Sequence, residues 1–439
     1  MNIQNRWGWG MVAAGGSLGC VAMGAMFSLP VLLMPIVRDT RWSLAAVSAA
    51  MTIGFVAMAF GSMAWGALSD RRGPRTTAIC GALIVPACLV LASRAHSLLA
   101  FQIFFGIGVG GGAAAIFAPM MACVTGWFDA HRALAVSLVS AGMGLAPMTM
   151  SPLAARLVTA THDWRQTLWL LGAVAVVLMV SVALVVRGPP DDAAPGAVPA
   201  ASGSVAATAA AAGAAAAGAA GSGPDQALPG GLLRSPGFIV LLATNFFCCA
   251  THSGAIIHTV SYALTCGIPM TAAVSIYSVE GLAGMLGRIV FGILGDRLGA
   301  KRVLIGGLLA QAIGALGYLL AGGLIGFYAA ATLFGFIYAG VMPLYAVLAR
   351  ENFPARMMGT IIGGTAMAGS LGMATGPVAG GLIYDALGTY RWLYLGSFLI
   401  GLGAFLIALL LPSQFKGSTR PGAKADGPDS PGQSRYRYS

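Results

Sequence analysis

The 439-residue chain is short of charge, with 8% of its residues Asp, Glu, Lys or Arg, against roughly a quarter in an ordinary soluble domain. So few charges cannot cover a surface that meets water on every side, and a soluble globule is excluded. Acidic residues are the scarcer sign, 13 against 24 Lys and Arg. The resulting +11 does not describe a nucleic-acid binder, because the basic residues sit singly or in threes between apolar runs. Seven cysteines (Cys20, Cys80, Cys88, Cys123, Cys248, Cys249 and Cys266) lie in apolar stretches without disulfide or metal-ligand spacing, apart from the adjacent pair Cys248 and Cys249, and read as small apolar fillers. No Ser/His/Asp set, metal spacing or Walker loop is present, so nothing points to an enzyme, to ATP drive, to a metal or to a cofactor.

What the chain does have is apolar length, 58% of its residues. A bilayer-spanning helix takes about 20 apolar residues, so twelve would use roughly 240 and leave room for short loops, one linker and a tail. Stretches of spanning length fall at 9–35, 45–68, 76–93, 97–122, 133–158, 166–187, 236–264, 272–294, 303–322, 324–349, 357–384 and 391–412. The first is too long for a signal-peptide core and has no obvious cleavage site, so it counts as a helix. The reading is an all-α membrane protein: an N-terminal six-helix bundle over 1–187, a linker over 188–235, a C-terminal six-helix bundle over 236–412 and a tail over 413–439. The linker is Ala- and Gly-rich and offers little to pack, and the polar, basic tail is expected to be disordered. With the first helix starting in the cytoplasm, the cytoplasmic segments hold 17 of the 24 Lys and Arg, or 10 against six outside when linker and tail are set aside. The positive-inside rule then places both termini in the cytoplasm.

The two halves repeat. Gly66-Ala67-Leu68-Ser69-Asp70-Arg71-Arg72-Gly73 follows the second helix, and Gly292-Ile293-Leu294-Gly295-Asp296-Arg297-Leu298-Gly299 follows the eighth, their aspartates 226 residues apart. Phe128 and Phe353, Arg132 and Arg356, Gly142 and Gly369, and Arg165 and Arg391 recur at nearly the same offset. Parallel repeats about an axis along the membrane normal, with a substrate site near the midplane between them, are a transporter architecture.

The doubled G-x-x-x-D-R-x-G loop, with Arg75 and Lys301-Arg302 behind it, resembles the signature loop of the major facilitator superfamily over essentially the whole chain. Arg6-Trp7-Gly8-Trp9-Gly10, Arg41-Trp42-Ser43, Trp127-Phe128 with His131-Arg132-Ala133-Leu134-Ala135, and Gly284-x-x-Gly287-Arg288 together resemble its monocarboxylate and oxalate/formate branch. That resemblance implies two pseudo-symmetric six-helix bundles, alternating access and a small organic anion, with Asp70, Arg71, Asp296 and Arg297 acting in gating. The membrane lysines that some relatives place in the first or eleventh helix are absent, which disfavours dicarboxylate exchange. Gln102 stands where many superfamily members have Arg.

Of the charged residues, Glu280 and Arg288 alone fall well inside a predicted span, both in the eighth. Intramembrane charges are costly and usually face a cavity with a task. Arg288 is about 12 Å by helical rise from Asp296, long for snorkelling, and a guanidinium forks two N–H donors at a carboxylate. Arg288 is therefore the candidate anion site. Glu280 could take up and release the coupled proton, or cap polar groups near one mouth. In the seventh helix Asn245 and His252 share a face and His258 follows six residues later; either histidine could relay a proton or serve as a hydrogen-bonding core residue. His258 is the stronger proton candidate, because His-Thr-Val ahead of a Gly turn resembles a pattern in bacterial relatives. Phe117, Tyr338 and Tyr345 complete the expected substrate-binding set, with core packing as the alternative for each.

The expected partners are thus a small organic anion, protons and the lipid bilayer, with no nucleic acid, and the expected unit is a monomer in a bacterial inner membrane. Rival readings are a drug/proton antiporter on the same fold, suggested by the Gly372-x-x-x-Gly376-Pro377 run, and a transporter-like receptor that senses without transporting.

Overall fold

A computed structural model describes residues 3–128, 132–188, 235–353 and 358–411. The body of the expected linker and the expected tail lie outside the described residues. No strand occurs among them. The first half comprises α1 (Ile3–Phe27), α2 (Leu29–Thr40), α3 (Leu44–Arg72), α4 (Pro74–Ser93), α5 (Leu98–Phe101) running through a π-helical segment Gln102–Val109 into α6 (Gly110–Trp127), α7 (Arg132–Gly144), α8 (Ala146–Thr161) and α9 (Trp164–Val185). The second comprises α10 (Pro236–Thr265), α11 (Met270–Leu298), α12 (Ala300–Gly317), α13 (Leu324–Asn352), α14 (Met358–Leu387) and α15 (Arg391–Leu409).

Eleven segments among the described residues are long and apolar enough to cross a membrane, α1 with α2 and α5 with α6 each making one. The expected fifth crossing over 133–158 is divided: α7 and α8, of 13 and 16 residues, meet at Leu145. Pro147 at the start of α8 lacks the N–H that would continue the ladder from α7. The first crossing is likewise broken at Ser28, whose hydroxyl bonds the Ala25 carbonyl at 2.7 Å ahead of Pro30.

The sequence repeat is a structural repeat. Both ends of α3 and α11 are displaced by 226 residues, and each helix stops at a glycine with positive φ, Gly73 at +84° and Gly299 at +90°. A side chain there would meet backbone strain, so glycine is what lets the signature loop reverse the chain. His162 and Gly388, again 226 apart, both take the left-handed conformation before the last helix of each half.

Glycines also set which helices touch. The Gly284-x-x-Gly287 motif seats α11 on α13, where a Cβ on Gly287 would fall on the Phe336 carbonyl and one on Gly335 would lie 2.6 Å from the Glu280 carbonyl. In the Gly106–Gly112 run, Gly106 meets α3 at Ala50 and Ile53 and Gly112 meets α4 at Ile84 and Val85, as close helix packing requires. Gln102 donates to the Ala46 carbonyl at 2.8 Å and so ties this span to α3. Gly287→Ala should therefore lower the thermal midpoint in detergent sharply, because the added carbon meets backbone that cannot yield, costing about 1–3 kcal/mol or more. Gly111→Ala, with nothing within 4 Å of the new carbon, should leave it unchanged. Equal shifts for the two variants would show that the motif does not set this packing.

Candidate substrate cavity

Along α11, Tyr277, Glu280, Gly281, Gly284, Met285 and Arg288 recur every three or four residues and form one wall of a cavity between the halves. His252 on α10, Tyr338 on α13 and Ser370 and Met373 on α14 continue that wall. The first half faces them with Met23 and Phe27 of α1, Phe55 and Met58 of α3, Met143 and Gly144 at the end of α7, and Pro147 of α8. The cavity is thus polar and charged on one side and apolar on the other. Its volume is about 140 Å³; since a water takes about 10–15 Å³ on this measure, it suits a small organic molecule or a handful of waters.

Glu280 is 2% exposed, and neither of its carboxylate oxygens has a hydrogen-bond partner. The buried Nε of Arg288 also has none. The two side chains lie eight residues and about 12 Å apart on one helix and do not neutralise one another. An unpaired charge buried in apolar surroundings costs several kcal/mol, so what enters the cavity must supply much of the compensation. The Arg288 guanidinium extends across to the first half: a Cβ on Gly144 would sit 3.6 Å from its Nη1. The break between α7 and α8 is therefore where the cation of one half meets the backbone of the other.

The other expected site residues divide. His252 lines the cavity with its ring stacked on Tyr338, centroids 4.8 Å apart. Asn245 does not line it; its amide donates to the Thr365 carbonyl at 2.5 Å and joins α10 to α14. His258 is also off the cavity, with Nε2 2.9 Å from the Pro377 carbonyl and its ring 5.3 Å from that of Tyr390. Tyr345 donates to the Thr244 carbonyl at 3.3 Å, and Phe117 is buried in the apolar core of the first half. Arg71, Asp296 and Arg297 are exposed at the ends of α3 and α11, remote from the cavity, while the side chain of Asp70 lies outside what is described. The seven cysteines are free. Tyr277, Ser370 and the methionine wall are cavity residues that sequence reading missed; for Tyr277 the signal was its place three residues before Glu280 on the same helical stripe.

On one side of the cavity the halves are sealed along α3 and α14. The Asp385 carboxylate, near the end of α14, accepts hydrogen bonds from Leu44 N and Ala45 N at 3.0 and 2.8 Å, capping the first turn of α3 from the opposite half. Nearer the cavity, Thr52 donates to the Ala374 carbonyl at 2.6 Å. Caps of this kind contribute about 0.5–2 kcal/mol. Asp385→Ala should therefore speed maleimide labelling of Ala45→Cys several-fold, in a Cys266→Ser background and in detergent. Unchanged labelling would mean that the cap does not hold this end closed.

Two repeated six-helix halves around an amphiphilic cavity at their interface define a membrane transport protein rather than an enzyme. The sequence profile of the Major Facilitator Superfamily matches residues 15–377 and 277–435, and the chain belongs to that family. It is 26% identical over 405 residues to monocarboxylate transporter 13 of Bos taurus, covering 92% of this chain and 87% of the relative. It is 26% identical over 187 residues to the oxalate:formate antiporter of Oxalobacter formigenes, 43% of this chain and 44% of that protein. Among solved structures it resembles a bacterial homologue of the human lysosomal transporter Spinster in an inward-facing, occupied conformation, with a TM-score of 0.71 at 14% identity, covering 94% of this chain and 98% of that one. The nucleoside transporter NupG matches with a TM-score of 0.68 at 11% identity, covering 91% and 99%. These likenesses establish the fold.

Proposed function

We propose that the protein moves a small organic anion, a monocarboxylate, by alternating access coupled to protons. The observation that carries this reading is the cavity's division into a wall with one arginine and a wall of methionine, phenylalanine and proline. A carboxylate against Arg288 leaves its hydrocarbon end toward Met23, Phe55, Met58 and Met143, whose thioethers adapt to varied shapes. A dicarboxylate would bring its second charge against that apolar wall. The names of the transporter 13 and oxalate:formate relatives agree with a carboxylate substrate.

Glu280 is the proton carrier in this reading, since it lines the same cavity as Arg288 and has no partner of its own. His258 is disfavoured by its bond to Pro377 away from the cavity. Passage to the opposite state requires the Asp385 cap on α3 to open, and the segments around Asp70-Arg71 and Asp296-Arg297, at the ends of α3 and α11, then act as the gate at the other end, on the cytoplasmic side with both termini. The bundles over 1–187 and 236–412 move as the two bodies, joined by the linker over 188–235, within one chain acting as a monomer in a bacterial inner membrane.

Counterflow in proteoliposomes against radiolabelled acetate, pyruvate, lactate and oxalate tests the substrate class. Trans-stimulated uptake of the monocarboxylates is expected. Stimulation by oxalate alone, or by none of the four together with uptake of organic cations, would overturn the reading in favour of an exchanger of dicarboxylates or a drug/proton antiporter.

A further inference from the structure

Gln311, on α12, does not line the cavity, yet it is 1% exposed and its amide is fully engaged. Its Nε2 donates to the Cys248 carbonyl at 3.0 Å and lies 3.2 Å from Nδ1 of His252, while its Oε1 accepts from the Cys248 thiol at 3.5 Å. A backbone carbonyl can only accept, so the Gln311 atom facing it must be the nitrogen. The second hydrogen of that amide then points at Nδ1 and is met by a lone pair there, whereas an Nδ1–H, although the Cys248 carbonyl also faces the ring, would stand against it. A neutral imidazole with its lone pair on Nδ1 carries its hydrogen on Nε2. Tyr338, stacked on the ring at an interplanar angle of 27°, fixes the ring plane.

We propose that Gln311 is a positioning residue that locks His252 as a neutral Nε2–H donor, giving the carboxylate held by Arg288 a further hydrogen bond from α10. This rests on the reading of the cavity as an anion site. Tyr277, Glu280 and Arg288 of α11 and Tyr338 of α13 are the charged and titratable groups among the described residues that share the cavity with His252, and Cys248 is its neighbour on its own helix. Protonation of His252 would turn an N–H on Nδ1 against the N–H of Gln311. The histidine is therefore a recognition group and carries no transported proton, which leaves that task to Glu280.

The tautomer is read directly by two-bond nitrogen–proton correlation spectra of the full-length protein labelled with 15N-histidine, His252 being assigned from the signal lost in His252→Gln with the other four histidine signals in place. A single Nε2–H tautomer, unchanged from about pH 5.5 to 8, is expected; an Nδ1–H tautomer or a titrating ring in the wild-type protein overturns the proposal whether or not Gln311→Leu folds. In transport, Gln311→Leu should raise the KM about tenfold for the carboxylate of the panel that gives the strongest counterflow, one hydrogen bond's worth, with turnover little changed. His252→Gln, whose amide N–H needs no tautomer, should itself weaken binding several-fold, but adding Gln311→Leu to it should raise KM less than twofold further. An equal cost in both backgrounds would make Gln311 mere packing and overturn the proposal. Wild-type transport in Arg288→Ala would instead overturn the anion site, and the spectra separate that failure from this one.

Discussion

Arg288→Ala is expected to abolish uptake of every carboxylate that the wild-type protein moves, with the variant still inserted and monodisperse. Two charge-assisted hydrogen bonds of about 1.5–3 kcal/mol each are lost, a loss of at least about a hundredfold in affinity. The fold should tolerate the change, because Arg288 forms no ion pair or hydrogen bond with the described residues and its buried Nε has no partner to abandon. Arg288→Lys keeps the charge but loses the planar fork, and its shorter reach withdraws from the α7–α8 break near Gly144, so uptake should fall about tenfold or more. Wild-type rates in Arg288→Ala would sink the anion-site assignment, since no other Lys or Arg lines the cavity among the described residues.

Glu280→Gln should retain exchange of substrate for substrate while losing accumulation driven by a pH gradient. Exchange needs only a loaded carrier moving both ways, and the amide mimics the protonated carboxyl; net flux needs the proton to leave. One proton per anion across one pH unit supports up to about tenfold accumulation, the equivalent of 1.36 kcal/mol, and the variant should show none. Stability should not suffer, since neither carboxylate oxygen has a protein partner to lose. Accumulation persisting in Glu280→Gln would move the proton role to His258, despite its bond to the Pro377 carbonyl, and a titrating His252 in the imidazole spectra would move it there instead.

The architecture is legible in the order of residues alone. Hydropathy and length mark the crossings because lipid demands that every backbone polar group be satisfied within its own helix, and the 226-residue offset between Asp70 and Asp296 marks the duplication. The order of residues also singled out Glu280 and Arg288, since a charge at membrane depth is too costly to be incidental. Which polar residues face the cavity is settled instead by how the helices pack. Asn245 and His252 share a helical face on paper, yet one ties α10 to α14 at Thr365 and the other meets Gln311 of α12 and the cavity. His258 and Tyr345 look like site residues by type, but the Nε2 of one and the hydroxyl of the other are spent on backbone carbonyls away from the cavity, although the buried Nδ1 of His258 has no partner. The apolar wall of Met23, Phe55, Met58 and Met143 is indistinguishable in sequence from any lipid-facing or core stripe, because in a chain this apolar hydrophobicity no longer reports burial. The division of the fifth crossing at Leu145, the cap that Asp385 places on α3 from 340 residues away and the orientation of the Gln311 amide all depend on partners distant in the chain. Side-chain direction and the identity of the opposing helix fix those contacts, and neither is encoded in local spacing.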